Sequence, residues 1–161
     1  LAFVTVSCAK KNYLRTKDLK ASMIESPQTQ ADIDRNRIVK YALANKLKGN
    51  FTSSGIFYTI DNPGEGMERP TTESTVTAHY TGKVLSGKKF DSSYDRDQPL
   101  EFKLGQVIKG WQEAIRLLGK GGKGTFLIPS ELAYGDRAVG EVIKENSVLA
   151  FDVELLDFKS E

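Results

Sequence analysis

Apolar and polar residues alternate with a period of two through much of the second half of the chain. Val76, Ala78 and Tyr80 alternate with Thr75, Thr77 and His79; Leu100, Phe102 and Leu104 alternate with Glu101 and Lys103; Leu149, Phe151, Val153 and Leu155 recur along the last segment. Successive side chains of a strand point to opposite faces, so each run predicts a strand with one face on a core. A helical stretch interrupts them. Over residues 110–118, Trp111, Ala114, Ile115 and Leu118 fall at i, i+3, i+4 and i+7, and Gly119 stands where a helix stop is expected. A further strand is predicted over residues 56–60, closed by Asn62-Pro63-Gly64, whose residue types favour a turn. Several antiparallel strands and one helix to cover their apolar face make an α+β domain.

The first fifty residues read differently. Residues 13–24 are weakly helical, and Ser26-Pro27 interrupts them because proline disfavours helix at the residue before it. Residues 31–47 carry Val39, Leu43 and Leu47 at four-residue spacing beside Ile38 and Ala42, with Asp32 and Asp34 early, lysines late and Gly49 just past the end. This predicts an amphipathic helix whose apolar face rests on the neighbouring domain. The alternative is that the N-terminal helices form a dimerisation arm. The expected organisation is a leader or anchor segment over 1–12, a helical extension over 13–50 and the principal domain over 51–161, with a monomer favoured.

Composition narrows the chemistry. A chain of 161 residues, 39% hydrophobic and 27% charged, is long enough for one domain with a core plus an appendage, and a second enzyme domain does not fit. A formal charge of +2 gives no reason to expect nucleic acid. One Cys and one His exclude a disulfide framework and a structural zinc site, and leave His79 as the sole histidine that could serve a nucleophile. The opening LAFVTVSCAKK is an apolar run, a small residue, Cys8, Ala9 and two lysines. It looks like the tail of a bacterial lipoprotein leader with Cys8 as the lipidated residue, and on this reading the chain begins partway through that leader. Any membrane attachment is expected through Cys8 alone.

Three features invite chemistry and are better read as structure. Gly119-Lys120-Gly121-Gly122-Lys123-Gly124-Thr125 has Thr where a phosphate loop needs Lys and follows a helix where such a loop opens one, so a turn into a strand over 126–129 is expected. Asp91, Asp95 and Asp97 lack the glycine and closing Glu of a calcium loop, which leaves a solvated or ion-paired acidic turn. His79, on the polar side of its strand, is expected to be a hydrogen-bonded structural residue.

The aromatic set remains, and it carries a resemblance. His79-Tyr80-Thr81-Gly82, Phe90-Asp91-Ser92-Ser93, Val107-Ile108-Lys109-Gly110-Trp111, Ala133-Tyr134-Gly135 and Phe151-Asp152-Val153-Glu154-Leu155-Leu156 closely resemble, in order, motifs of the FKBP-type peptidyl-prolyl cis-trans isomerases. The match runs from Val76 to Leu156. It implies a twisted antiparallel β-sheet wrapped around one short α-helix, here with an N-terminal helical extension. It also implies a cofactor-free and metal-free enzyme acting on Xaa-Pro bonds in unfolded or partly folded polypeptides. By the same resemblance Asp91, Tyr80, Trp111, Tyr134 and Phe90 form the catalytic set, and Phe102, Val107, Ile108, Phe151, Leu100, Val142 and Ile143 bind substrate. Trp111 would lie under the proline ring, the Ile108 N–H and the Tyr134 hydroxyl would hold substrate carbonyls, and Asp91 would accept from Tyr80 or pair with Arg96. Macrolide ligands of the family are possible partners. A bacterial cell-envelope location and a role in folding exported proteins follow if Cys8 is an anchor.

The chemistry suits these residues. Resonance holds a peptide bond planar by about 18–20 kcal/mol, and the twisted transition state loses that resonance and much of its carbonyl dipole. A dry apolar pocket can therefore prefer the transition state, and a preference of about 5–6 kcal/mol corresponds to roughly ten-thousand-fold acceleration with no nucleophile. Leu100, Val139, Glu141 and Lys144-Glu145 depart from common family residues, and the segment between Leu104 and Val107 is short. All of these touch the rim, which motivates the rival reading of a non-catalytic peptide-binding or holdase module using the same groove.

Overall fold

The structure, a computed structural model, describes residues 12–160. The leader-like start and Cys8 lie outside the described residues. Two helices come first, α1 (Thr16–Ala21) and α2 (Gln30–Ala44). They are followed by strands β1 (Asn50–Phe51), β2 (Phe57–Asn62), β3 (Thr75–Val84), β4 (Lys89–Ser92) and β5 (Leu100–Lys103), then helix α3 (Lys109–Ala114), β6 (Lys123–Ile128) and β7 (Leu149–Lys159).

The strands form one antiparallel sheet in the order β1-β2-β6-β7-β3-β4, with β5 on the same edge of β3 as β4. Alternation along three neighbouring strands makes the sheet two-sided. Ile56, Phe126, Ile128, Leu149, Phe151, Val153 and Leu155 point to one face, where Trp111, Ala114 and Ile115 of the helical segment complete a core with Val76, Ala78 and Tyr80. Phe57, Leu127 and Ala150 point to the other, where Ile38, Val39 and Ala42 of α2 and Leu19 of α1 cover them. The α+β expectation holds, and α2 docks on the sheet of its own chain.

Local chemistry sets the ends of these elements. Thr29 and Asp32 form a reciprocal capping box at the start of α2, where Thr29 Oγ1 accepts from the Asp32 N–H and the Asp32 carboxylate accepts from the Thr29 N–H. The helix stops at Ala44, three residues before the sequence pattern does. Lys46 takes a left-handed conformation (φ 54°), its N–H donates to Leu43 O at 3.2 Å, and the Leu47 N–H donates to Ala42 O at 2.9 Å. These two bonds are a Schellman ending with lysine where glycine is usual, and they fold Leu47 back onto the apolar face. Gly49 therefore does not end α2; a Cβ there would stand 2.3 Å from Tyr58 O, so this glycine permits close approach to β2. Asn36 ties the loop before α2, accepting from the Ile24 N–H at 2.7 Å and donating to Ile24 O at 2.8 Å.

Two further boundaries differ from the sequence pattern. The stripe over 110–118 is split between α3 and a 3-10 turn, Ile115–Leu117. The strand expected at residue 126 begins at Lys123, because Gly124 pairs with Ile60. A Cβ on Gly124 would lie 2.8 Å from Thr59 O, so glycine serves pairing here although its type suggested a turn.

The helix that carries Trp111 sits close to β6 because Gly110 has no side chain; a Cβ there would meet Ile128 Cγ2 at 2.4 Å. Helix propensity alone predicts that Gly110→Ala stabilises by about 1 kcal/mol. The packing predicts a loss of about 1–3 kcal/mol in urea unfolding, as α3 is pushed off the sheet.

Candidate functional site

The site begins with a gap in the sheet. On the free edge of β3, β5 pairs with Thr75 to Ala78 and β4 with Thr81 to Lys83, which leaves His79 and Tyr80 between them. Ser93 fills the gap. Its Oγ accepts from the Tyr80 N–H at 2.8 Å, its N–H donates to Tyr80 O at 3.0 Å, and its Oγ shares a hydrogen bond with His79 Nδ1 at 2.8 Å. His79 also stacks on Tyr94 at 4.5 Å between centroids. The single histidine thus fastens the loop after β4 to the strand that aims Tyr80 inward, as its structural reading required.

Trp111, in the first turn of α3 and 3% exposed, is the centre of an aromatic cluster. Tyr80 and Phe151 meet it edge-on at 4.9 and 5.3 Å, Phe102 leans on it at 5.4 Å, and Phe90 meets Phe151 edge-on at 5.7 Å. Such geometry suits ring quadrupoles and locks the rings against one another. Gly82 makes the Phe90–Phe151 contact possible, since a Cβ there would lie 2.6 Å from Phe90 and 2.8 Å from Phe151. These rings open onto a cleft of about 330 Å³ lined by Tyr80, Phe90, Asp91, Leu100, Gln106, Val107, Ile108, Trp111, Tyr134 and Phe151.

One charged pair borders the cleft. The Asp91 carboxylate accepts from the Tyr80 hydroxyl, from the Arg96 guanidinium and, at 2.9 Å, from the Ser92 N–H. Arg96 also donates to the Tyr80 oxygen at 3.2 Å. Partial burial pushes the Asp91 carboxyl up, but the bonds from Tyr80 and Arg96, the Arg96 charge and the Ser92 N–H outweigh it, so Asp91 lies below the usual carboxylate range. Burial first, and the bond to Asp91 second, push the Tyr80 phenol above its ordinary value. At neutral pH the site holds a carboxylate, a neutral phenol and a guanidinium, none poised to exchange a proton.

Nine of the residues expected at the site line the cleft together. Phe102, Val142 and Ile143 do not. Phe102 packs against Trp111 without lining the cleft, and Ile143 is buried in the core, its backbone bridged to Val139 after the Tyr134 turn. A motif match reports sequence order; Phe102 and Ile143 pack with the core behind the wall, and Val142, half-buried, precedes Ile143 on the same segment. Asp95 pairs with Lys89 at 2.6 Å, so that part of the acidic turn is ion-paired.

Other contributors went unread in the sequence. Gln106 lines the cleft, and Gln112 donates to Val107 O at 2.9 Å and Gly105 O at 3.3 Å, holding the segment before α3 against its own first turn. Glutamine has no pattern that marks it for either task. Ile108 is the N-cap of α3 in an extended conformation (φ −53°, ψ 147°), so its N–H precedes the helical ladder.

Comparison with known proteins places this geometry. Residues 66–156, more than half of the chain, match the profile of the FKBP-type peptidyl-prolyl cis-trans isomerases. A probable FKBP-type peptidyl-prolyl cis-trans isomerase of Haemophilus influenzae is 53% identical over 106 residues, 66% of this chain and 44% of that protein. FkpA of Aeromonas hydrophila is 40% identical over 147 residues, 89% of this chain and 54% of that one. The crystal structure of FkpA from Escherichia coli superposes with a TM-score of 0.72 at 42% identity, covering 81% of this chain and 61% of the other. The chain spans about half the length of the curated relatives it matches. With a family profile matching more than half of its residues and a relative 40% identical over 89% of its length, the chain belongs to the FKBP-type peptidyl-prolyl cis-trans isomerase family.

Proposed function

We propose that the chain accelerates cis-trans rotation about Xaa-Pro bonds in unfolded or partly folded polypeptides. The observation that carries this reading is a cleft floored by a buried Trp111, walled by Tyr80, Phe90 and Phe151, and bordered by a carboxylate already held by two side-chain donors. Such a site offers shape and low polarity. It offers no nucleophile, and the reaction needs none, because no bond is broken. The proline ring would rest on Trp111, and the Ile108 N–H and Tyr134 hydroxyl would hold flanking carbonyls. Desolvation would favour the twisted amide, whose carbonyl is less dipolar than the planar one. Asp91 would act through Tyr80 and Arg96, keeping the wall and its loop in place.

A protease-coupled or NMR exchange assay on an Xaa-Pro peptide tests the activity. Wild-type protein accelerates the exchange, and the absence of acceleration overturns the reading. Trp111→Ala and Asp91→Val each lower kcat/KM by about tenfold or more, which is about 1.4 kcal/mol of transition-state stabilisation. His79→Ala lowers thermal stability while kcat/KM stays within about twofold, since it loses a hydrogen bond and a stacking contact outside the cleft.

The charge states give a pH signature. Asp91 is held below the ordinary value of about 3.9 and Tyr80 above about 10, so neither changes charge between about pH 5 and 9, and kcat/KM shows no inflection from them in that range. A carboxyl depressed on folding stabilises above its unfolded pKa and loses that contribution as pH falls through its folded value. The stability difference between wild type and Asp91→Asn, measured by urea unfolding, therefore shrinks on going from pH 7 to about pH 3.

An envelope location through lipidation of Cys8 belongs to the same proposal. It is supported by the order of apolar run, small residue, Cys8 and lysines, and by relatives that are bacterial. Intact-mass measurement after membrane extraction is expected to give an acylated species beginning at Cys8; an unmodified Cys8, or retention of the residues before it, overturns this part.

A further inference from the structure

Tyr134 borders the cleft, yet it stands on a turn without regular structure and is 38% exposed. What fixes it is backbone. It follows the 3-10 turn Ser130–Leu132, and the Ser130 carbonyl accepts from the amides on either side of it, Ala133 at 3.0 Å and Gly135 at 2.8 Å. The position of Tyr134 therefore depends on what holds Ser130.

Ser130 is fully buried, and Asp34 of α2 holds it. The Asp34 carboxylate, also fully buried, accepts from the Ser130 N–H at 2.8 Å and from the Ser130 hydroxyl, across 96 residues of sequence. Its other oxygen accepts from Gln30 Nε2 at 2.8 Å and lies 3.8 Å from the Arg37 guanidinium. A second tie starts one turn further along α2. Arg37 donates to Asn146 O at 3.0 Å, and the Asn146 N–H donates to Gly135 O at 2.8 Å. Two residues at i and i+3 on one helix thus converge on the two sides of Tyr134.

A carboxylate taken fully out of water is costly unless its acceptors are filled, and removing it would leave two buried donors of Ser130 unpaired. Helix docking does not need this arrangement, since Ile38, Val39 and Ala42 already supply the apolar contact. We infer that Asp34, seconded by Arg37, is a positioning residue for the cleft, so that a helix outside the family-matched residues 66–156 sets the place of Tyr134. Its effect on catalysis rests on the isomerase reading above; its effect on the turn does not.

The test uses the full chain with Asp34→Asn and Ser130→Ala, and Asp34→Ala where it folds, against Val39→Ala, which weakens the same helix without touching Ser130. Two measurements are made, kcat/KM on an Xaa-Pro peptide and the NMR signals of the Gly135 amide and Tyr134 ring. The clamp variants are expected to lose about tenfold in kcat/KM, in keeping with the cost of a misplaced contact group, and to shift both signals. Val39→Ala is expected to lower Tm while leaving kcat/KM within about twofold and the two signals in place. In a Tyr134→Ala background, Asp34→Asn is expected to cost nothing further, because residues acting through one another are not additive. Folded clamp variants with unchanged Gly135 and Tyr134 signals overturn the inference, as does an equal change in Val39→Ala or a full additional loss in the Tyr134→Ala background. If wild-type protein shows no isomerase activity, the functional proposal fails and the NMR comparison alone decides the clamp.

Discussion

The ladder between β3 and β7 is the constraint on which the site depends. It runs from Thr75 opposite Lys159 to Val84 opposite Leu149, and it sets Tyr80 opposite Val153 and Gly82 opposite Phe151. Because strand side chains alternate faces, a slip of β7 by one residue would turn Phe151 and Val153 away from Trp111 while Tyr80 stayed, and the two walls would no longer meet. Long buried edges on both sides prevent the slip. β7 also pairs along β6, and the bare Gly82 opposite Phe151 leaves room for Phe90 to close the wall. Aromatic packing, cleft shape and the place of Asp91 all follow from that register.

On this frame the electrostatics are economical. Asp91 is a carboxylate with three donors around it, and two of them, Tyr80 and Arg96, also bond each other. A group so committed has little basicity left, and its value to the cleft is mechanical. It joins β4, the loop carrying Arg96 and the inward phenol of β3. The salt bridge is partly open to water, so little stability should be credited to it. Its geometry matters more than its energy.

The parts legible in the sequence were those in which periodicity and burial coincide. The alternation at Val76, Ala78 and Tyr80 and at Leu149 to Leu155 located the central strands, and the spacing of Trp111, Ala114 and Ile115 located the helix against them. Glycines misled where their use was steric. Gly124 falls in a glycine-rich run that suggests a turn, yet it is a strand residue with no room for a side chain, and Gly49 stands where a helix stop is expected although Lys46 and Leu47 make that stop. The ordered motifs hold nine residues that line the cleft, and Phe102 and Ile143, which pack with the core beside it, because a match in order does not separate a wall from the packing behind it. Asp34 shows the sharper limit. Near the start of an amphipathic helix, an acidic residue reads as a favourable charge for the helix dipole. Its actual partner lies 96 residues away, and no local pattern announces a long-range bond to a serine.

The two faces of the sheet explain why a helix far from the cleft can matter to it. In β6, Phe126 and Ile128 pack toward Trp111 while Leu127 between them packs under α2. The backbone is shared, so α2 and the core beneath the cleft rest on opposite sides of one strand. β6 then runs through Pro129 directly into Ser130, where Asp34 takes hold. The strand that supports the cleft and the turn that completes it are thus gripped by one helix, by apolar contact along the strand and by a buried carboxylate at its end. Apolar contact alone would fix the distance of α2 from the sheet but leave it free to slide along its axis, since such contacts have little direction. The hydrogen bonds of Asp34 remove that freedom, and with it the main way in which the Tyr134 turn could drift from the cleft.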